Sequence, residues 1–137
     1  MKITCIICGK ERKAWGAGNA NKYCSLTCFQ VKNYNDNVEK WLKGEDKGWS
    51  GKTATLKNFV RKYIHLHKGT ACEECGWDKK HPLDGRVLTE IDHIDGDAHN
   101  CKPENLRVLC PNCHSMTPTH RARNKSSKRT RYGKIKT

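Results

Sequence analysis

Asp92 and His93 stand side by side, Glu104-Asn105-Leu106 begins twelve positions after Asp92, and Cys110-Pro-Asn-Cys113-His114 follows. A carboxylate, a candidate base, an amide and a second imidazole thus fall in one short segment braced by a cysteine knuckle. Hydrolysis of a phosphodiester needs an activated water, neutralised charge on the phosphoryl oxygens and a stabilised leaving alkoxide. A neutral imidazole can serve the first need, and one hard divalent cation the other two. Asp92 offers such a cation an anionic oxygen, and His114 offers a nitrogen from across the fold.

Each of these residues also has a plainer reading. His93 alone would pass for an ordinary strand histidine, and Asp95 and Asp97 for turn residues around Gly96. The segment Asp92–Asp97 has the acidic look of a calcium loop, but its glycine is misplaced and no glutamate closes it. His114 could stand in for a cysteine on zinc, yet four cysteines are already at hand. His81, His99 and His120 read as surface or loop residues, with His99 nearest the proposed site. His65 and His67 fit a helix end. One tension remains: neighbours on a regular strand point to opposite faces, so Asp92 and His93 share a site only where the strand is distorted or ends.

Eight of the nine cysteines form two quartets. Cys5-x2-Cys8 and Cys24-x3-Cys28 make the first, and Cys72-x2-Cys75 and Cys110-x2-Cys113 the second. Closely spaced thiolates on a tight knuckle can both reach a tetrahedral zinc at about 2.3 Å, and Gly9 and Gly76 let the chain turn back beneath the metal. Exchange between the quartets is possible in principle, but local closure is far simpler. Two structural zinc ions are therefore expected, in a reducing compartment. Cys101 is left over as a small buried or half-exposed thiol.

The run from Ile91 through Asp92-His93, Asn105 and Cys110-Pro-Asn-Cys113-His114 to Ser115 closely resembles the HNH endonuclease family, over about Thr70–Arg123. The resemblance implies a ββα-metal module in which Asp92 and His114 hold one catalytic Mg2+ or Mn2+. It makes His93 the general base and Asn105 the amide that holds the two-stranded loop and helps orient that base. In the family the strand ends at the Asp-His pair, which removes the tension above. The amino-terminal quartet, ending Lys22-Tyr-Cys-Ser-Leu-Thr-Cys-Phe29, resembles a treble-clef-like or FCS-type zinc ribbon. Such modules bind nucleic acid or protein, and Lys10, Arg12, Lys13 and Lys22 against the single Glu11 favour DNA. Small HNH proteins with such a front module look like phage or mobile-element nucleases.

The elements that must position these groups are short. A chain of 137 residues with 35% hydrophobic content buries little apolar surface, so metals are expected to supplement its cores. Val31, Tyr34, Val38, Trp41 and Leu42 recur at helical spacing, with Asn33, Asn35 and Asn37 weakening the helix and Gly44 ending it. Gly44–Gly51 reads as a linker or loop. Leu56, Phe59, Val60, Tyr63, Ile64 and His67 share a helical face that stops before Gly69, and Lys52, Lys57, Arg61 and Lys62 decorate the same element. Arg86–Ile94 and Leu106–Leu109 are strand-like around the turn Asp95-Gly96-Asp97. A helix is expected from Cys113 into Thr117–Asn124, with Pro118 obscuring its start. The expected class is small, zinc-stabilised α+β: a ribbon over 1–30, a helical linker region over 31–69, the nuclease module over 70–124 and a basic tail over 125–137.

Charge is unevenly spread along the chain. Residues 71–120 hold five Lys/Arg against nine Asp/Glu, whereas the remainder holds 22 basic against five acidic residues, or +17. A mildly acidic centre within a basic shell suits a cation site beside a polyanion. The tail, with Lys125, Lys128, Arg129 and Arg131 foremost, is expected to contact DNA and to be disordered when unbound. No apolar run approaches membrane-spanning length and the start Met1-Lys-Ile-Thr-Cys5 lacks a signal-peptide core. The expected location is therefore cytoplasmic, in the bacterial host if the chain is phage-encoded. The sequence points to a DNA-hydrolysing HNH endonuclease that nicks or cuts both strands. The alternative is a non-catalytic zinc-ribbon DNA-binding protein that keeps the HNH segment as a scaffold.

Overall fold

Cysteine knuckles and glycine turns leave room for only brief strands, and the computed structural model, which describes residues 1–14 and 19–125, has three antiparallel pairs of them. The chain divides into two compact units, Met1–Lys40 and Trp41 onwards. No helix among the described residues is long and apolar enough to cross a membrane.

In the first unit β1 (Lys2–Thr4) pairs with β2 (Glu11–Lys13), Lys2 lying opposite Lys13 and Thr4 opposite Glu11. The knuckle between them closes by two bonds: Cys5 N–H donates to the Lys10 carbonyl at 2.9 Å, and Gly9 N–H to the Cys5 carbonyl at 3.0 Å. Helix α1 spans Leu26–Leu42. The Ser25 hydroxyl accepts the Cys28 N–H at 3.2 Å, satisfying one of the donors a helix start leaves open. The helix thus begins five residues before Val31, where the apolar periodicity first shows. Its asparagines do not break it. Lys32 and Asp36, one turn apart, pair at 2.7 Å.

Trp41 is the one buried residue of α1, and it belongs to the core of the second unit. There it joins Leu56, Val60, Ile64, Cys101, Leu106 and Val108. Its indole N–H donates to the Cys101 carbonyl at 2.9 Å, and its ring meets Tyr63 edge-on at 5.0 Å. Helix α2 (Asn58–Lys68) supplies Val60 and Ile64, both fully buried, and Gly69 at φ 78° ends it. Each such side chain contributes about 1.5–3 kcal/mol by leaving water. The segment before α2 departs from the loop expected of it: β3 (Trp49–Ser50) and β4 (Thr55–Leu56) form a small hairpin. Leu56 therefore reaches the core from a strand. A short apolar stretch beside a helix fits either periodicity, and tertiary packing decides.

Strands β5 (Glu90–His93) and β6 (Leu106–Leu109) pair with Asp92 opposite Arg107 and His93 opposite Leu106. β5 is shorter than the strand-like run Arg86–Ile94, of which Val87 makes only an isolated bridge to Lys80. Leu109, Cys72 and Cys110 form a second small core against Trp77. The helix expected to run through Thr117–Asn124 does not form. α3 covers Pro111–Ser115 alone, and a single 3-10 turn returns at Arg121–Arg123. Pro118 cannot donate a backbone hydrogen bond, and the Thr117 hydroxyl donates instead to the His114 carbonyl at 2.9 Å.

Candidate functional site

Strand alternation puts Glu90 and Asp92 on one face of β5, and His114, on α3 just after the knuckle, is brought against both. His114 Nε2 lies 3.4 Å from Asp92 Oδ1, and His114 Nδ1 lies 2.5 Å from Glu90 Oε2. Cis ligands at about 2.1 Å from one cation stand about 3.0 Å apart, so the Asp92–His114 pair fits a shared hard cation with little adjustment. The second oxygen of Asp92 accepts Arg107 Nε–H at 2.9 Å, a contact set by the β5–β6 register. Asp92 is 6% exposed, so its charge is held by partners rather than by water.

His93 is the last residue of β5, and it lines the same cavity of about 540 Å³ as Asp92 and His114. The strand ends there, so adjacent side chains can share the space. Its Nε2 lies 3.5 Å from the sulfur of Cys101, a buried thiol that itself donates to the Ala98 carbonyl at 3.3 Å.

Asn105 is buried and ties the loop between the strands. Its amide donates to Asp95 Oδ1 at 2.9 Å and to the Asn100 carbonyl at 2.8 Å, and its Oδ1 accepts Asp95 N–H at 3.1 Å. Partial burial raises the Asp95 pKa, but the bonds from Asn100, Asp97 N–H and Asn105 outweigh it. With the nearby His93 adding to them, these bonds hold the carboxyl below its ordinary range. Gly96, at φ 74°, is needed for close approach as well as for the turn: a Cβ there would come within 2.8 Å of Thr119 Cγ2. Asn124 Nδ2 donates to the Gly96 carbonyl at 2.7 Å, docking the 117–124 loop on the turn.

That docking brings in side chains the local sequence did not mark. His120 meets His114 edge-on at 4.9 Å and lines the cavity, as does Arg121, whose φ is 48°; Arg61, one of the cations expected along α2, lines it as well. His99, nearer in sequence, instead packs edge-on against Trp49 at 4.6 Å. Glu90 had a readable signal, its two-residue spacing from Asp92. Arg107 and His120 had none before register and loop path were known. Of the tail cations, Lys125 is described, and Lys128, Arg129 and Arg131 lie outside the described residues.

Both cysteine quartets close as their spacing required, with one Sγ from each of Cys5, Cys8, Cys24 and Cys28, and from each of Cys72, Cys75, Cys110 and Cys113, within 4.8 Å of one another. Four thiolates around a tetrahedral zinc are about 3.8 Å apart. Cys8–Cys24 at 3.4 Å, Cys24–Cys28 at 3.6 Å and Cys75–Cys110 at 3.6 Å match that arrangement. The N–H groups of the knuckles favour thiolate: that of Cys8 foremost brings Cys5 down to about 6, against burial. Burial pushes Cys72 up, but the N–H groups of Cys110, Cys75 and Glu74 bring it to about 6. Neighbouring sulfurs drive the last thiol of each set the other way, Cys24 raising Cys28 and Cys110 raising Cys113, each to about 12. Such a donor set suits a dication, which removes the mutual repulsion of the thiolates.

The family of HNH endonucleases matches the chain over residues 82–116, the stretch that holds Glu90, Asp92, His93, Asn105 and His114. H-N-H endonuclease F-TflIV of Escherichia phage T5 is 45% identical over 70 residues, covering 50% of this chain and 29% of that protein. A probable HNH endonuclease of Lactococcus phage SK1 is 29% identical over 82 residues, covering 58% of this chain and 85% of that protein. The chain thus spans less than a third of the first relative's length and most of the second's. No solved structure matches it. Through residues 82–116, which run from before β5 to the end of α3, the chain is similar to the HNH endonuclease family.

Proposed function

We propose that the chain is a metal-dependent endonuclease that hydrolyses DNA phosphodiester bonds, with His93 as general base and one Mg2+ or Mn2+ held by Asp92 and His114. The observation that carries this reading is the convergence of all three side chains on one cavity, with Asp92 Oδ1 and His114 Nε2 3.4 Å apart. When bound, the cation neutralises the phosphoryl oxygens and the leaving alkoxide. His93, whose Nε2 lies 3.5 Å from the Cys101 sulfur, takes the water proton. Asp95, kept ionised by its hydrogen bonds, favours the imidazolium as it forms. Asn105 holds the loop that carries Asp95, and Arg61 and Arg121 offer guanidinium groups to the phosphate from the cavity wall. Endonuclease activity is supported by the names of the two phage relatives, and a polyanionic substrate such as DNA by the +17 charge outside residues 71–120.

The test is cleavage of supercoiled plasmid, and of phage and bacterial genomic DNA, by zinc-loaded protein with added magnesium or manganese. Nicked or linear products that vanish when the added cation is withheld are expected. Intact DNA with both cations on every substrate would overturn the proposal.

A further inference from the structure

Nothing in the roles above uses Glu90, yet its carboxylate makes one of the shortest polar contacts of the second unit. Glu90 Oε2 lies 2.5 Å from His114 Nδ1, while the other nitrogen of the same ring faces Asp92 Oδ1 at 3.4 Å. A neutral imidazole has one proton, and the partner of one nitrogen decides what the other can do. A carboxylate accepts only, so the Glu90 contact suits a proton on Nδ1, which leaves the Nε2 lone pair for a cation shared with Asp92. Asp92 is oriented in the same manner from its far side, where Arg107 Nε–H engages Oδ2 at 2.9 Å and leaves Oδ1 towards His114.

We propose that Glu90 is a positioning residue for the catalytic cation: it fixes the His114 tautomer and ring orientation, as Arg107 fixes the Asp92 carboxylate. The proposal rests on the assignment of Asp92 and His114 as cation ligands. The backbone arrangement accounts for it. Glu90 and Asp92 are two residues apart on one face of β5, Arg107 is the direct cross-strand partner of Asp92, and the Cys110 knuckle sets α3 so that His114 bridges the two acids. Glu90 does not itself complete the cation site. Its contact is to the opposite edge of the ring, and among the described residues only the two cysteine quartets bring three ligand atoms within 4.8 Å. Acidic partners of this kind typically change metal affinity about 10- to 100-fold.

The experiment uses full-length, zinc-loaded protein without DNA, titrated with Mn2+ and followed by the EPR signal of free manganese. Glu90→Ala is expected to weaken the manganese site about 10- to 100-fold. Glu90→Gln, whose amide oxygen still accepts the Nδ1 proton, should keep most of the affinity. In a His114→Ala background Glu90→Ala should cost nothing more. Imidazole 15N spectra should show His114 as the Nδ1–H tautomer in wild type and Glu90→Gln, and as a mixture in Glu90→Ala. Wild-type affinity in Glu90→Ala would overturn the proposal, as would equal losses in the Gln and Ala variants, which would make Glu90 a direct ligand. Absence of a manganese site in wild type would instead remove the ligand assignment, and the spectra would still decide whether Glu90 sets the tautomer.

Discussion

At the scale of single residues, the candidate site separates groups that would move a proton from groups that would hold a cation. His93 stands at the end of β5 beside Cys101, whereas Asp92 and His114 face each other one residue back. Their variants should therefore fail differently. His93→Ala is expected to cut cleavage about 10²–10⁴-fold with DNA and manganese binding retained. Asp92→Ala and His114→Ala should lose cation affinity and recover part of their rate at higher cation concentration. Wild-type cleavage should rise with pH and then level off, because only the neutral ring accepts the proton. Steady-state rates across cation concentration and pH check all of this, and near-normal cleavage by folded His93→Ala would refute its role.

At the scale of elements, the ββα module is held by a sheet of two strands, a five-residue helix and a sulfur cluster. The second knuckle is bound directly to β6: Glu73 N–H donates to the Val108 carbonyl at 2.8 Å, and the Glu73 carboxylate accepts Val108 N–H. Cys110 also caps α3, its sulfur accepting Cys113 N–H at 3.4 Å. A zinc lost from this quartet would therefore loosen β6 and displace His114. Metal analysis of purified protein is expected to return two zinc ions per chain. Structural zinc contributes apparent folding energy of about 10–16 kcal/mol in small modules, so Cys72→Ser or Cys110→Ser should unfold the second unit, read as lost ellipticity and tryptophan environment. A count of one zinc or none would remove the two-cluster reading.

At the scale of the whole molecule, the acidic stretch 71–120, which holds the candidate ligands, contrasts with +17 elsewhere. Six cations fall in Lys125–Thr137. Deleting that tail should weaken DNA binding and leave the active site able to cleave. If about half of the six meet phosphate, the log–log salt dependence of binding should become shallower by roughly 3 units. Fluorescence anisotropy across a salt series measures it, and an unchanged slope would assign the tail another purpose.

The sequence by itself determined the parts whose chemistry is local. Cys-x2-Cys spacing forces two sulfurs onto one knuckle, so both quartets were legible, and so was α2, where a strong apolar face meets the stop at Gly69. The order Asp92-His93, Asn105, His114 also carried the family likeness. Weak periodicity hid the start of α1, which Ser25 sets by capping, and two-residue strands such as β3 and β4 are too short to alternate visibly. The helix drawn through Thr117–Asn124 failed because that loop satisfies its backbone and side-chain groups by docking on Gly96. Only tertiary structure decided which charged groups surround the ligands. Arg107 meets Asp92 through strand register, Glu90 meets His114 through the placement of α3, and His120, Arg61 and Arg121 reach the cavity from separate segments. Those contacts join residues distant in sequence, and their energies exist only once the chain has closed around the second cysteine quartet and the Leu106–Val108 core.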